Sequence, residues 1–160
     1  PLLPMPDDTP EAWRTNNRIN LFLIDSISAP GMRSTLSKRG GRGVAGQFAH
    51  MHNNRVWQLD KRAKELAEGL EIFPPKTHPT KAALKKAFVA SGNAIEAFLT
   101  DLAAGAPKRR GFKKGIPSTL AYFVAHESHH RGIILLTLKE CGHNLDKDAR
   151  YAIWGMWDKA

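Results

Sequence analysis

Proline and glycine fall mainly at a few places in this chain, and the stretches between them are too long to be strands. The punctuation reads "APG" at 29–31, "GGRG" at 40–43, "FPP" at 73–75, "HP" at 78–79 and "GAPKRRGFKKGIP" at 105–117. A helix cannot run through such prolines, because each removes a backbone donor and clashes with the preceding turn. Strand-like alternation is scarce, and no internal repeat is evident. What remains is four long stretches with apolar residues at helical spacing.

The first is predicted from Thr9 to about Ser28. Asp8 or Thr9 can cap it, Pro10 suits its first turn, and Glu11 favours its positive end. The second runs from about Val44 to about Gly69. The third covers about Thr80 to Ala104, with Leu84, Phe88, Ala94, Ile95, Phe98, Leu99 and Leu102 as its stripe and Gly92 as a weak point. The fourth starts at Pro117 and closes at Gly142 as a C-terminal cap. A short fifth helix, about Asp146 to Trp157, carries Tyr151, Ile153, Trp154 and Trp157, which suit either a cover over one end or a homodimer surface. Pro1 to Asp8 reads as an extended arm. Each long helix has one apolar stripe to bury, so the expected fold is all-α, a helical bundle formed as a single domain over 1–160.

Composition narrows the class. With 160 residues, 42% apolar and 24% charged, the chain suits a soluble globular domain. No apolar run approaches a membrane span and no secretory signal is visible. The lone Cys141 excludes an internal disulfide and fits a reducing, cytoplasmic setting. The charge is less ordinary: 24 Lys and Arg against 15 Asp and Glu give a net +9. Two Gly-rich clusters hold much of it, Arg33, Lys38, Arg39 and Arg42 in one, Lys108, Arg109, Arg110, Lys113 and Lys114 in the other. Neither interleaves aromatics as a base-stacking surface does, so both read first as solvated loops, with nucleic acid as the other reading.

The chemistry concentrates in "AHESHHRGIILL", residues 125–136. His126-Glu127-Ser128-His129-His130 matches the zinc-peptidase pattern H-E-x-x-H. A peptidase also needs a third ligand at a set distance. Here Ile133 and Leu136 stand where the extended motif has Gly and His, only Glu140 is available downstream, and no strand exists to bind substrate. His126 and His130, four residues apart, nonetheless stack on one helical face beside Tyr122, Phe123, Ile133, Ile134 and Thr137. Two neutral imidazoles at that spacing can share a divalent ion. His129 lies at the edge of this face, and Glu127 turns about a quarter of the circle away. The third ligand must come from another helix. The second helix offers His50 and His52, and its wheel does not decide between them: Phe48, Val56, Leu59 and Leu66 favour His52, while Val44 and Met51 widen the arc toward His50. His143 and His78 read as outside the site.

With "VAGQFAHMHNNRVW" in the second helix, "HESHHRG" in the fourth and the Trp-rich tail "YAIWGMWDK", the chain resembles the DinB/YfiT-like superfamily of metal-binding four-helix bundles nearly end to end. The resemblance implies an up-down-down-up bundle with a long crossover between the second and third helices, here "EGLEIFPPKTHP". It also implies a metal held by His50, His126 and His130, with Arg131 and Gly132 completing the H-x-x-x-H-R-G step. Family members usually have Gln after that Gly, where this chain has Ile133.

Three histidines leave an ion one open position, as in catalytic sites. Zinc is the default ion, and nickel or another first-row metal suits the same ligands. The superfamily includes thiol-dependent S-transferases, so the resemblance implies a metal-dependent transferase or hydrolase that activates a low-molecular-weight thiol or water on a small-molecule substrate. Arg55 and Arg131 are the candidates for holding a cofactor carboxylate, with Asn54 and His129 as neighbours. A non-catalytic metal-binding or regulatory bundle, and a basic nucleic-acid binder, are the other readings.

Overall fold

A computed structural model describes residues 8–158, and all its extended elements are helices: α1 (Thr9–Ser26), α2 (Ala29–Met32), α3 (Val44–Arg62), α4 (Lys64–Ala67), α5 (Lys81–Ala103), α6 (Ile116–Glu140) and α7 (Lys147–Gly155). Among the described residues the only β-type pairing is an isolated bridge between Phe112 and Gly115. The arm expected over residues 1–8 lies outside the described residues except for Asp8. No described helix is long and apolar enough to cross a membrane.

Local chemistry accounts for most boundaries. Asp8 occupies the N-cap of α1 through its backbone carbonyl, without a side-chain cap bond, and Pro10 sits in the first turn. Thr80 and Asp146 do cap with their side chains, accepting from the Ala83 and Ala149 amides. Gly142 closes α6 as expected, at φ 76°, with its own amide bonded to Lys139 and the His143 amide bonded to Leu138. That 5→2 and 6→1 pair satisfies the last carbonyls of the helix.

Two boundaries differ from the sequence expectation. Residues 29–32 do not merely end the first helix; they form the single turn α2, with the Ser28 hydroxyl accepting from the Gly31 amide. The second predicted helix stops at Arg62 instead of near Gly69. Ala63 leaves helical geometry (φ −158°, ψ 59°), and the chain resumes helix as α4. The break lets Ala63 bury while Leu66, Ala67 and Leu70 pack on the same apolar cluster.

The four long helices pack α1 on α5 and α6, and α3 on α5 and α6. Their apolar residues divide into two clusters. One contains Leu23, Ile24, Phe48, Met51, Leu84, Phe88, Ile134 and Leu138. The other contains Trp13, Leu59, Ala63, Ile95, Phe98, Leu99 and Phe123. Every long helix contributes to both, and near the change from one to the other each carries buried polar residues: Asn16 and Asn20 on α1, Arg55 on α3, Ser91 on α5, Glu127 and Arg131 on α6. Read from N- to C-terminus, α1 and α6 pass from the second cluster to the first, and α3 and α5 pass the other way. α7 lays Ala149, Ile153 and Met156 against the first cluster and leaves Tyr151 and Trp154 exposed.

Gly92, the weak point of α5 in sequence, packs directly against α1. Its carbonyl accepts from the Trp13 indole at 2.8 Å, and a Cβ there would fall within the Asn17 amide group. Gly92→Ala is therefore expected to destabilise by about 1–3 kcal/mol through overpacking, although alanine favours helix by about 1 kcal/mol. A urea titration checks the sign.

Candidate metal centre

The helical register of α6 puts His126 and His130 side by side, with Nε2 atoms 3.2 Å apart. α3 crosses opposite and brings His50 to the same spot, its ring centroid 5.2 Å from His126 and 4.7 Å from His130. One ring nitrogen from each of the three lies within 4.8 Å of the others. This is the juxtaposition that "HMH" and "HESHH" left open, and the trio includes His50, not His52.

His52 faces elsewhere and has a separate task. It is 1% exposed; its Nε2–H donates to the Glu71 carbonyl at 3.0 Å, and its Nδ1 accepts from the Ser91 hydroxyl at 3.1 Å. Both ring nitrogens are thereby used, tying the segment after α4 to the helix core. His129 is exposed beside His130, at a ring separation of 5.1 Å.

The neighbours of the trio set its protons. His130 Nδ1 lies 2.7 Å from Gln47 Oε1, an acceptor, so the proton sits on Nδ1 and the Nε2 lone pair points at His126. His126 Nδ1 contacts the Asn54 amide at 3.4 Å, and Asn54 in turn accepts from the Tyr122 hydroxyl at 3.1 Å. Burial, then the charge of Arg42 and the neighbouring His126, push His50 from 6.5 down to about 4. Burial and the other histidines bring His130 from 6.5 to about 4 as well. Burial also lowers His126, although the Glu127 charge acts in the opposite sense. All three imidazoles are thus neutral at pH 7, the form a metal requires.

A pH dependence follows. Between pH 6.5 and about 4 the unfolded chain binds protons that the folded, metal-free chain refuses at His50 and His130. Stability is then greatest above 6.5 and falls as pH drops through that window. The urea midpoint of metal-free protein should be lower at acidic pH than near neutrality, and the drop should shrink in His130→Ala. An equal drop in that variant would assign the effect to other groups.

The two candidate cofactor-binding arginines lie inside the protein. Arg55 is 0% exposed. Its Nε and Nη2 grip both oxygens of Glu127 at 2.6 and 3.1 Å, its Nη1 reaches Asn17 and Ser91, and its guanidinium lies over the Trp13 and Phe88 rings. Arg131 does not extend to solvent; its Nη1 donates to the amide oxygens of Asn16 and Asn20, each at 2.9 Å. Asn16 and Asn20 each donate to Glu127 Oε2 at 2.6 Å. Both guanidinium groups are occupied by protein partners in this structure.

Glu127, the would-be base of a peptidase, is the acceptor at the centre of this layer and is 1% exposed. Burial alone would raise its carboxyl; Arg55, with Arg131 and Asn16, outweighs that and holds it below the usual range. Both of its oxygens accept from Arg55, Asn16 or Asn20. Sequence reasoning missed Asn16 and Asn20. The signal was available: two amides four residues apart on the stripe that also holds Trp13, Leu23 and Ile27.

The second basic loop is partly spoken for. Arg109 pairs with Asp101 and Glu65, and Arg62 lies over the Phe112 ring at 4.0 Å while donating to the carbonyls of Arg110 and Gly111. No protein-family model, no curated protein and no solved structure matches the chain.

Proposed function

We propose that the chain is a DinB-like four-helix bundle, running up-down-down-up, that holds a divalent ion on His50, His126 and His130 and uses it to activate a small thiol or a water. The single observation that carries this reading is the convergence of three neutral imidazoles. The opposed passage of the helices between the two apolar clusters supports the topology.

The donor set fits such an ion. Two imidazoles on one tetrahedral zinc hold their nitrogens about 3.3 Å apart, given zinc–nitrogen distances of about 2.0–2.1 Å. The observed separation of His126 and His130 is 3.2 Å. Gln47 fixes the tautomer of His130, the role an outer partner plays at metal-bound histidines. For His126, a half-turn of the Asn54 amide would offer an acceptor to Nδ1–H and free Nε2. Zinc fits three imidazoles first, and nickel satisfies the same donors. A bound ion would supply positive charge that favours the anionic form of a thiol or water. Trp57 lies in edge contact with His50 on one side of the trio.

Turnover tests the reading. Zinc-loaded protein should transfer a small thiol such as cysteine or glutathione to an electrophile such as an aryl halide, or else hydrolyse an activated ester. His126→Ala should lose that activity by at least about a hundredfold, the scale on which metal-site partners act. Metal binding without any turnover would favour a regulatory bundle. Arg33, Lys38, Arg39 and Arg42 on the first basic loop, and Lys108, Arg110, Lys113 and Lys114 on the second, are exposed, and the nucleic-acid reading rests on these cations. DNA binding that weakens steeply with salt would support it.

A further inference from the structure

Beside His50 a cleft of about 710 Å³ opens between the basic Gly-rich loop, residues 35–43, and the crossover, residues 72–78. Its composition is lopsided. Trp57, Ile72 and Phe73 supply apolar wall, and Trp57 and Ile72 are among the few large apolar side chains left exposed, at 43% and 46%. Arg42 and Lys76 supply cationic groups, and no Asp or Glu lines the cleft. Arg42 and His50 line the same cleft.

The walls are built, not incidental. Asn53 holds the crossover by a reciprocal pair: its amide donates to the Phe73 carbonyl and accepts from the Phe73 amide, both at 2.9 Å. His52 grips Glu71 two residues earlier. On the other side the Val44 amide bonds the Ser34 carbonyl at 2.9 Å, and a Cβ at Gly43 would fall 2.6 Å from that same oxygen, so only glycine lets the loop close here. An apolar, cation-rimmed cleft with fixed walls suits a ligand that is apolar in body and negative at one end.

We infer that this cleft binds a small organic anion, its charge taken by Arg42 and Lys76 and its apolar body lying against Trp57, Ile72 and Phe73. A carboxylate and a phosphate share the chemistry that these cations recognise. The inference rests on the metal reading only for the ligand's reacting part, which would lie toward His50.

Binding to metal-free protein, treated with EDTA, tests it. Titrants are 3-phenylpropionate, phenyl phosphate and the uncharged 3-phenylpropionamide, followed by calorimetry and by backbone NMR shifts. Both acids should bind saturably and shift signals in 35–46 and 72–78, the tighter one identifying the head group. The amide should bind at least about tenfold more weakly, and Arg42→Ala should weaken the acids about tenfold, as expected for a lost charge-assisted hydrogen bond. Trp57→Ala should weaken acids and amide alike. Both positions are exposed, so neither variant threatens the fold. An amide that binds as tightly as the acids overturns the inference, as does binding unchanged within twofold in both variants. His130→Ala separates the two claims, because it should abolish metal uptake and leave acid binding within twofold. Acid binding by a protein that takes up no metal would overturn only the metal reading, and metal uptake without acid binding only the cleft.

Discussion

Glu127→Ala should cost about 3–5 kcal/mol of folding stability, the range for removing one member of a buried, hydrogen-bonded ion pair. The size comes from what is left behind. Arg55 and Arg131 would both remain charged in the interior, at 0% and 8% exposure, with no anion between them. Asn16 and Asn20, which each donate to the carboxylate and accept from Arg131, would lose half their partners. Domains of this kind are stable by only about 5–15 kcal/mol, so the variant would sit near the edge of folding. Glu127→Gln keeps the volume and should be milder, although it too leaves the arginines unneutralised. Urea unfolding of metal-free protein measures both. A loss below about 1 kcal/mol for Glu127→Ala would mean that the layer is hydrated and carries little energy.

The second large effect is metal-linked stability. An ion that binds only the folded chain stabilises it by about 4 kcal/mol at a free concentration a thousandfold above its Kd. Zinc added to EDTA-stripped protein should therefore raise the unfolding temperature by many degrees. His126→Ala and His130→Ala should remove that response. His52→Ala should behave differently: it breaks the links to Ser91 and Glu71, so the baseline falls, yet the response to zinc stays. A response lost in His52→Ala and kept in His50→Ala would reverse the assignment on α3.

Much of this arrangement was legible in the residues. Proline and glycine positions located the long helices to within about two residues except at the end of the second, which stops at Arg62 and not near Gly69, and the i, i+4 spacing of His126 and His130 put two imidazoles on one face. What a single helix could not disclose was which histidine of "HMH" turned toward them. A wheel counts apolar neighbours, and His52 sits on the apolar arc because it is buried, with both nitrogens used inside the core. Burial and proximity to the other two histidines are separate properties, and a wheel reads only the first. The same limit applied to Arg55 and Arg131, whose chemistry suits a carboxylate; the carboxylate they face belongs to the chain's own Glu127 or is reached through Asn16 and Asn20. The break at Ala63 was also hidden, since alanine favours helix and only tertiary packing of Leu66 and Leu70 rewards leaving it.

Metal content decides the central claim. Wild type, His50→Ala, His52→Ala and His130→Ala should each be stripped, loaded with zinc, freed of excess by gel filtration and assayed for metal per chain. Wild type and His52→Ala should retain about one ion, the complement of a single mononuclear site. His50→Ala and His130→Ala should retain almost none. A wild-type protein that holds no ion after loading, or a His130→Ala variant that holds as much as wild type, would contradict a site built on His50, His126 and His130.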